Sequence, residues 1–332
     1  MEEIGRRRQY TLQNAEALQG ELRDADLLLE GKACVYATGS YGRLEARPDS
    51  DLDLFIVGLT DIHSKQTPKG SLLRHLDEIC IKADLIRATK RLGIKDFDGD
   101  GRYLAHYSAE MFTKTLGTPE DDATNTLTGR LLLLLESRPL LGKQVYSEVI
   151  RTVIEAYWRD YQDHKDDFIP AYLTNDILRL WRTFCVNYEA RTEREPDPKK
   201  AKGKVKNYKL KHSRMLTCYS ALLYLLTIYK RHGTVSQEDG FAMTQLTPVG
   251  RVEWLMQQPE ASNAHSEAEK LIQQYNYFLS LTSIGEEALE AIFSDRKHSA
   301  EYMKESRQFG DYMYSTLSKI DENNRYYRII VV

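Results

Sequence analysis

Between Ala33 and Val57 the chain runs apolar, bends on a glycine and runs apolar again, and few folds accommodate that pattern. Ala33-Cys34-Val35-Tyr36-Ala37-Thr38 is small, β-branched and aromatic, the composition of a buried strand, and it stops at Gly39-Ser40. Gly39 lacks a Cβ, so its backbone can approach a ligand closely, and Ser40 offers an N–H and a hydroxyl to an anion. Tyr41 to Glu45 reads as the start of a short helix whose free N–H groups add to that anion site. Pro48-Asp49-Ser50 is a turn signal, and Asp51-Leu52-Asp53-Leu54-Phe55-Ile56-Val57 reads as a second strand. Residues two apart in a strand share a face, so Asp51 and Asp53 point one way while Leu52 and Leu54 enter the core. Adjacent carboxylates raise each other's pKa when bare. A hard divalent cation, held by one or two carboxylates and by phosphate oxygens, resolves that conflict. Alone, G-S is an ordinary turn and D-x-D a solvent-facing pair. Together, with Arg43 and Glu45 between them, they point to metal-dependent nucleotidyl transfer.

GSYGR followed by SDLDLFIV resembles the G-S…D-x-D signature of the DNA polymerase β-like nucleotidyltransferase superfamily. It is most similar to the branch containing the PII-protein uridylyltransferase catalytic domain, with its GSxGRxE…SDxD pattern. Gly129-Arg130-Leu131 and the run from Leu135 through Glu136 and Ser137 to Gly142 extend the similarity to that branch's helix end. The resemblance implies an α+β fold: a polymerase β-like mixed sheet with flanking helices, followed by an all-helical domain. It also implies Gly39 and Ser40 on the triphosphate and Asp51 and Asp53 on two Mg²⁺ ions, with Mn²⁺ as a substitute. Arg43 either joins the nucleotide site or orients the turn and pairs with Glu45. A third carboxylate completes the metal site in this superfamily. Asp100, in the Asp98-Gly99-Asp100-Gly101 run, is the candidate, with Asp98 and Asp84 as alternatives.

Helical spacing before Lys32 and from Leu72 to Leu92 predicts helices beside the sheet, and Arg102 to Tyr107 a further strand. After Lys143 nearly every segment carries helical spacing. The expected division is a catalytic domain at 1–142 and a helical domain at 143–332. Lysines crowd residues 196–211, and like charges at that density predict a solvated loop. Lys209, Lys211 and Arg214 lie where the helical pattern resumes and are candidates for contact with phosphate or a growing strand. The end of the chain, Asn323 to Val332, turns β-branched, which predicts a terminal strand. Tyr326 and Tyr327 within it are candidate priming hydroxyls.

At 332 residues, 42% hydrophobic and 29% charged, the chain can bury two cores, and a net charge of −3 gives no general field for nucleic acid. Cys34, Cys80, Cys185 and Cys218 show no C-x-x-C spacing and are expected as buried thiols in a reducing cytoplasm. The N-terminus has no signal-like apolar stretch, and membrane insertion is not expected. The expected reaction moves NMP or dNMP from a nucleoside triphosphate to a hydroxyl, releasing pyrophosphate. An oligonucleotide product is favoured, because a minimal nucleotidyltransferase with one helical domain resembles bacterial anti-phage enzymes. These include the Hailong-type HalA proteins, which make oligodeoxyadenylate from a tyrosine. The product itself and an effector protein controlled by it would be the partners, and a homo-oligomer is compatible. The alternatives are AMP or UMP transfer to a partner protein and an antitoxin-like binding module.

Overall fold

The computed structural model describes residues 2–60, 70–95, 97, 104–193 and 197–331. These form two compact units, one of Gly5–Arg159 and one of Asp160–Val332 with the first residues of the chain.

The first unit is built on a four-stranded mixed sheet. Helices α1 (Glu2–Glu21) and α2 (Arg23–Leu29) lead into β1 (Ala33–Thr38), the short α3 (Gly39–Gly42) and β2 (Asp53–Gly58). Then come α4 (His75–Arg91), β3 (His106–Ser108), α5 (Ala109–Lys114), α6 (Glu120–Ala123), α7 (Thr126–Glu136), β4 (Arg138–Leu141) and α8 (Lys143–Tyr157). The strand order is β3-β2-β1-β4, with β1 antiparallel to both neighbours and β3 parallel to β2. All six residues of β1 are buried, because both faces of the sheet are covered. On one face Val35, Ala37, Leu54 and Ile56 join Leu18 and Leu22 of α1 and Ile81 and Leu85 of α4. On the other, Tyr36 stacks on Phe55 at 5.6 Å, and Tyr107 and Tyr146 continue the aromatic layer. Each such side chain contributes roughly 1.5–3 kcal/mol by leaving water. This architecture is the α+β one expected, with a helical region after it.

α8 carries Tyr146 into that aromatic layer and buries Val145, Val149 and Ile150, so it belongs to the sheet unit. The structural division therefore falls after Arg159, beyond the boundary expected at Gly142. β3 is held by a buried chain of hydrogen bonds. His106 Nδ1 donates to the Glu78 carboxylate of α4 at 2.9 Å, and His106 Nε2 is hydrogen-bonded to Ser71 Oγ at 3.0 Å. Burial pushes the Glu78 carboxyl up, but Lys82 and His106 outweigh it and bring it down to about 2. Ser71 is fully buried, so this trio is a tie between β3 and α4 and presents no nucleophile.

The second unit is helical: α9 (Ala171–Thr192), α10 (Asp197–Lys209), a π-helical segment Leu210–Arg214, α11 (Met215–His232), α12 (Gln237–Thr244), α13 (Pro248–Leu255), α14 (His265–Leu281), α15 (Glu286–Ser294), α16 (Arg296–Asp321) and α17 (Arg325–Val331). Two expectations are corrected here. From Asp197 onward, the lysine-rich stretch expected as a loop is helix. Val205 and Tyr208 anchor it, Tyr208 packing against Phe278 and Phe293, and burial of that face outweighs repulsion among lysines that reach solvent. The terminal segment expected as a strand is also helix. Asn324 Oδ1 accepts the Tyr327 N–H at 2.7 Å, a helix cap, while Tyr326, Tyr327 and Ile330 are buried.

Of the cysteines, Cys34 and Cys218 are buried, Cys185 is half-buried, and Cys80 is exposed on α4, contrary to the expectation of four buried thiols. Among the described residues no helix is long and apolar enough to cross a membrane.

Candidate active site

The end of β1 and the start of β2 lie side by side, with Thr38 opposite Asp53 in the register. At this point β1 passes into α3 through Gly39, whose φ is +63°. A Cβ placed on Gly39 would lie 2.6 Å from Asp53 Oδ2, so the bend and the carboxylate touch, and only glycine leaves room for both. Ser40 follows at the half-buried lip of the bend. Asp51 lies just ahead of β2, its side chain 62% exposed, and Lys95 Nζ donates to its Oδ1 at 2.6 Å. Leu52 and Leu54 are buried, while Asp51 is exposed and Asp53 half-buried, which is the in–out alternation of extended chain.

Behind the bend sits a buried ionic network. Arg43 donates from Nε to Glu45 at 2.8 Å and from Nη1 to Glu136 at 2.9 Å. The Glu136 carboxylate also accepts the Gly39 N–H, at 3.2 Å, and its side chain is wholly buried. Arg43 is thus engaged with two carboxylates and is mostly buried. Leu44, between the ion-pairing residues, has a left-handed φ of +61°, a conformation that costs a non-glycine residue about 1–2 kcal/mol. Arg7 of α1 donates to the Glu45 carbonyl at 3.2 Å and so ties α1 to the same loop. The sequence signal for Glu136 was an acid closing the apolar run Leu131 to Leu135; its partners lie 93 and 97 residues away.

Asp100 and Asp98 lie outside the described residues. Asp84 is on α4 and pairs with Arg87 at 3.3 Å. Among the described residues no group of three or more His, Cys, Asp or Glu is poised for a metal. Lys209, Lys211 and Arg214 belong to the second unit, at the end of α10 and in the π segment, with Arg214 over the Phe184 ring at 5.0 Å. Tyr326 is fully buried with its hydroxyl bonded to Thr174 at 2.8 Å, and burial raises its pKa. The Tyr327 hydroxyl is bonded to Ser318 at 2.8 Å.

No curated protein and no solved structure matches the chain. Residues 19–90 match the family described as Nucleotidyltransferase domain, under a quarter of the chain. That stretch contains β1, the Gly39-Ser40 bend, β2 and nearly all of α4. The glycine bend lies against Asp53 at the ends of the two central strands, and this segment is similar to a nucleotidyltransferase domain of the polymerase β-like superfamily, a family that transfers nucleotidyl groups from nucleoside triphosphates.

Proposed function

We propose that the protein is a metal-dependent nucleotidyltransferase that moves NMP or dNMP from a nucleoside triphosphate to a hydroxyl. The observation that carries this reading is the contact between Gly39 and Asp53 within the matched segment. Asp51 and Asp53 offer only oxygen donors, as Mg²⁺ or Mn²⁺ requires, and the Lys95 ammonium on Asp51 supports a site that attracts cations. When bound, the metal offsets triphosphate charge and stabilises the attacking and leaving oxygens. Asp51 and Asp53 would hold it, with Asp100 as the candidate third ligand. Ser40 would hold the β- and γ-phosphates through its hydroxyl, and Gly39, lacking a Cβ, would let the triphosphate come close to the bend. The acceptor oxygen bonds to the α-phosphorus as the bond to the bridging oxygen breaks, pyrophosphate leaves, and the hydroxyl proton passes to solvent.

An oligonucleotide is the favoured product, as the resemblance to anti-phage enzymes suggests. Lys202 of α10 is held by Glu286 at 3.2 Å, while Lys206 and Lys209, from one turn later, lie three apart on one face of the helix and are exposed, a pair suited to a phosphate backbone. Lys211 and Arg214 would extend it. Burial of Tyr326 favours a nucleotide 3′-hydroxyl over that tyrosine as acceptor. The test is incubation with each labelled NTP and dNTP plus Mg²⁺, followed by separate protease and nuclease digestion. Free oligomers are expected, and D51N/D53N should abolish incorporation while remaining folded. A single nucleotide fixed to protein would instead mean protein modification. Continued incorporation by the double variant refutes the site.

A further inference from the structure

We infer that Glu136 is a positioning residue for the triphosphate bend, acting through Gly39 and Arg43; the inference rests on the transfer reaction proposed above. Three observations converge on it. A carboxylate buried this completely is costly, and an apolar residue at the end of α7 would be cheaper for packing alone. Donors that compensate it come from the bend: the Gly39 N–H and Arg43 Nη1. The backbone makes the same connection, since a Cβ on Gly42 would lie 1.9 Å from the Glu136 carbonyl oxygen. The bend is therefore pressed between the end of α7 on one side and Asp53 on the other. A shift of Glu136 becomes a shift of Gly39 relative to Asp53.

The left-handed Leu44 gives the network something to hold. A strained residue persists only where its surroundings over-determine it. Here the Glu45 N–H donates to the Ser40 carbonyl at 2.7 Å, and Arg43 ties both Glu45 and Glu136. Glu136 also decides which donors face the nucleotide. Because it takes the Gly39 N–H, the phosphates meet Ser40 and not the Gly39 amide. Arg43 is by the same logic a brace for the bend and does not touch substrate.

The experiment compares E136Q with T126V and R43K. A glutamine keeps the size, but the Gly39 N–H and Arg43 Nη1 reach different carboxylate oxygens, so its NH₂ would face one of these donors. Thr126 starts the same helix, its hydroxyl bonds Asp121 and Thr115, each at 2.8 Å, and neither partner belongs to the bend, so T126V reports destabilisation around the start of α7 without touching the bend. With displacement of the order of 1 Å, kcat should fall roughly 30- to 100-fold in E136Q while KM for the triphosphate stays within about threefold. T126V should keep kcat within about twofold. R43K, which retains charge but cannot fork between two carboxylates, should follow E136Q and carries the test if E136Q does not fold. Hydrogen exchange over residues 38–45 gives a readout independent of turnover, so it decides the anchoring even if the transfer reading fails. Faster exchange there in E136Q or R43K, with β2 unchanged, is the expected result. Unchanged exchange at the bend, an unchanged kcat in folded E136Q, or an equal loss in T126V would overturn the inference.

Discussion

Replacing Gly39 by alanine separates the geometry of the bend from its backbone strain. At φ +63° an alanine costs about 1 kcal/mol or slightly more relative to glycine. The new methyl would also lie 2.6 Å from Asp53 Oδ2, and relief to an ordinary contact of 3.4 Å requires the carboxylate or the bend to move about 0.8 Å. For a group that orients a reacting phosphate, a displacement near 1 Å costs about 10²-fold in rate. Gly31 supplies the control. Its φ is +66°, yet nothing lies within 4 Å of its added Cβ, so Gly31→Ala carries the strain without the collision. Gly31→Ala should lose about 1 kcal/mol in urea unfolding, and Gly39→Ala at least as much, because the collision adds to the strain. Only Gly39→Ala should lose pyrophosphate release, by roughly 50- to 100-fold. If Gly39→Ala turns over within threefold of the parent, or Gly31→Ala loses as much, the bend does not set the carboxylate in place.

Burial pushes His212 down to about 4, against an ordinary value of 6.5, although its bond to the Tyr208 carbonyl works the other way. The unfolded chain takes the proton first, so stability is fully present above pH 6.5 and is lost as pH falls towards 4, by up to about 3 kcal/mol. His212→Phe should remove that part of the acid slope in denaturant titrations at pH 7, 5.5 and 4.5; an unchanged slope would show that His212 is not the group responsible. Asn324→Ala removes the cap on α17 and should cost about 1 kcal/mol. Hydrogen exchange over residues 325–331 should accelerate, and exchange at the parent rate would refute the cap.

How much of this was legible in the sequence depended on the distance between the residues involved. β1 and the contact of the bend with β2 could be read because a two-residue period, a glycine and a turn signal all act locally. Asp51 departs slightly: it precedes β2 and is taken by Lys95, whose approach follows from the course of the chain after α4. Glu136 was visible only as part of a motif. Its partners are remote in sequence, and nothing local shows that an acid at the end of an apolar helix faces inward. The lysine-rich helix and α17 were misread for a shared reason. Charge density and β-branching are averages over a window, whereas Val205, Tyr208, Tyr326 and Ile330 find cores supplied by helices elsewhere in the chain. Local propensity loses to that burial.

The π segment Leu210–Arg214 joins α10 and α11 into one rod from Asp197 to His232 and stores a single surplus residue. Were one residue deleted there, ordinary α-helical hydrogen bonding could run unbroken, and everything before the segment would rotate by about 100° against everything after it. Tyr208 would swing out of its aromatic nest with Phe278 and Phe293, and Lys206 and Lys209 would swing with it. The length of this stretch is thereby locked to the direction in which its positive charge points. Individual lysines can be exchanged freely without disturbing that phase, but gain or loss of a residue between Lys209 and Met215 cannot.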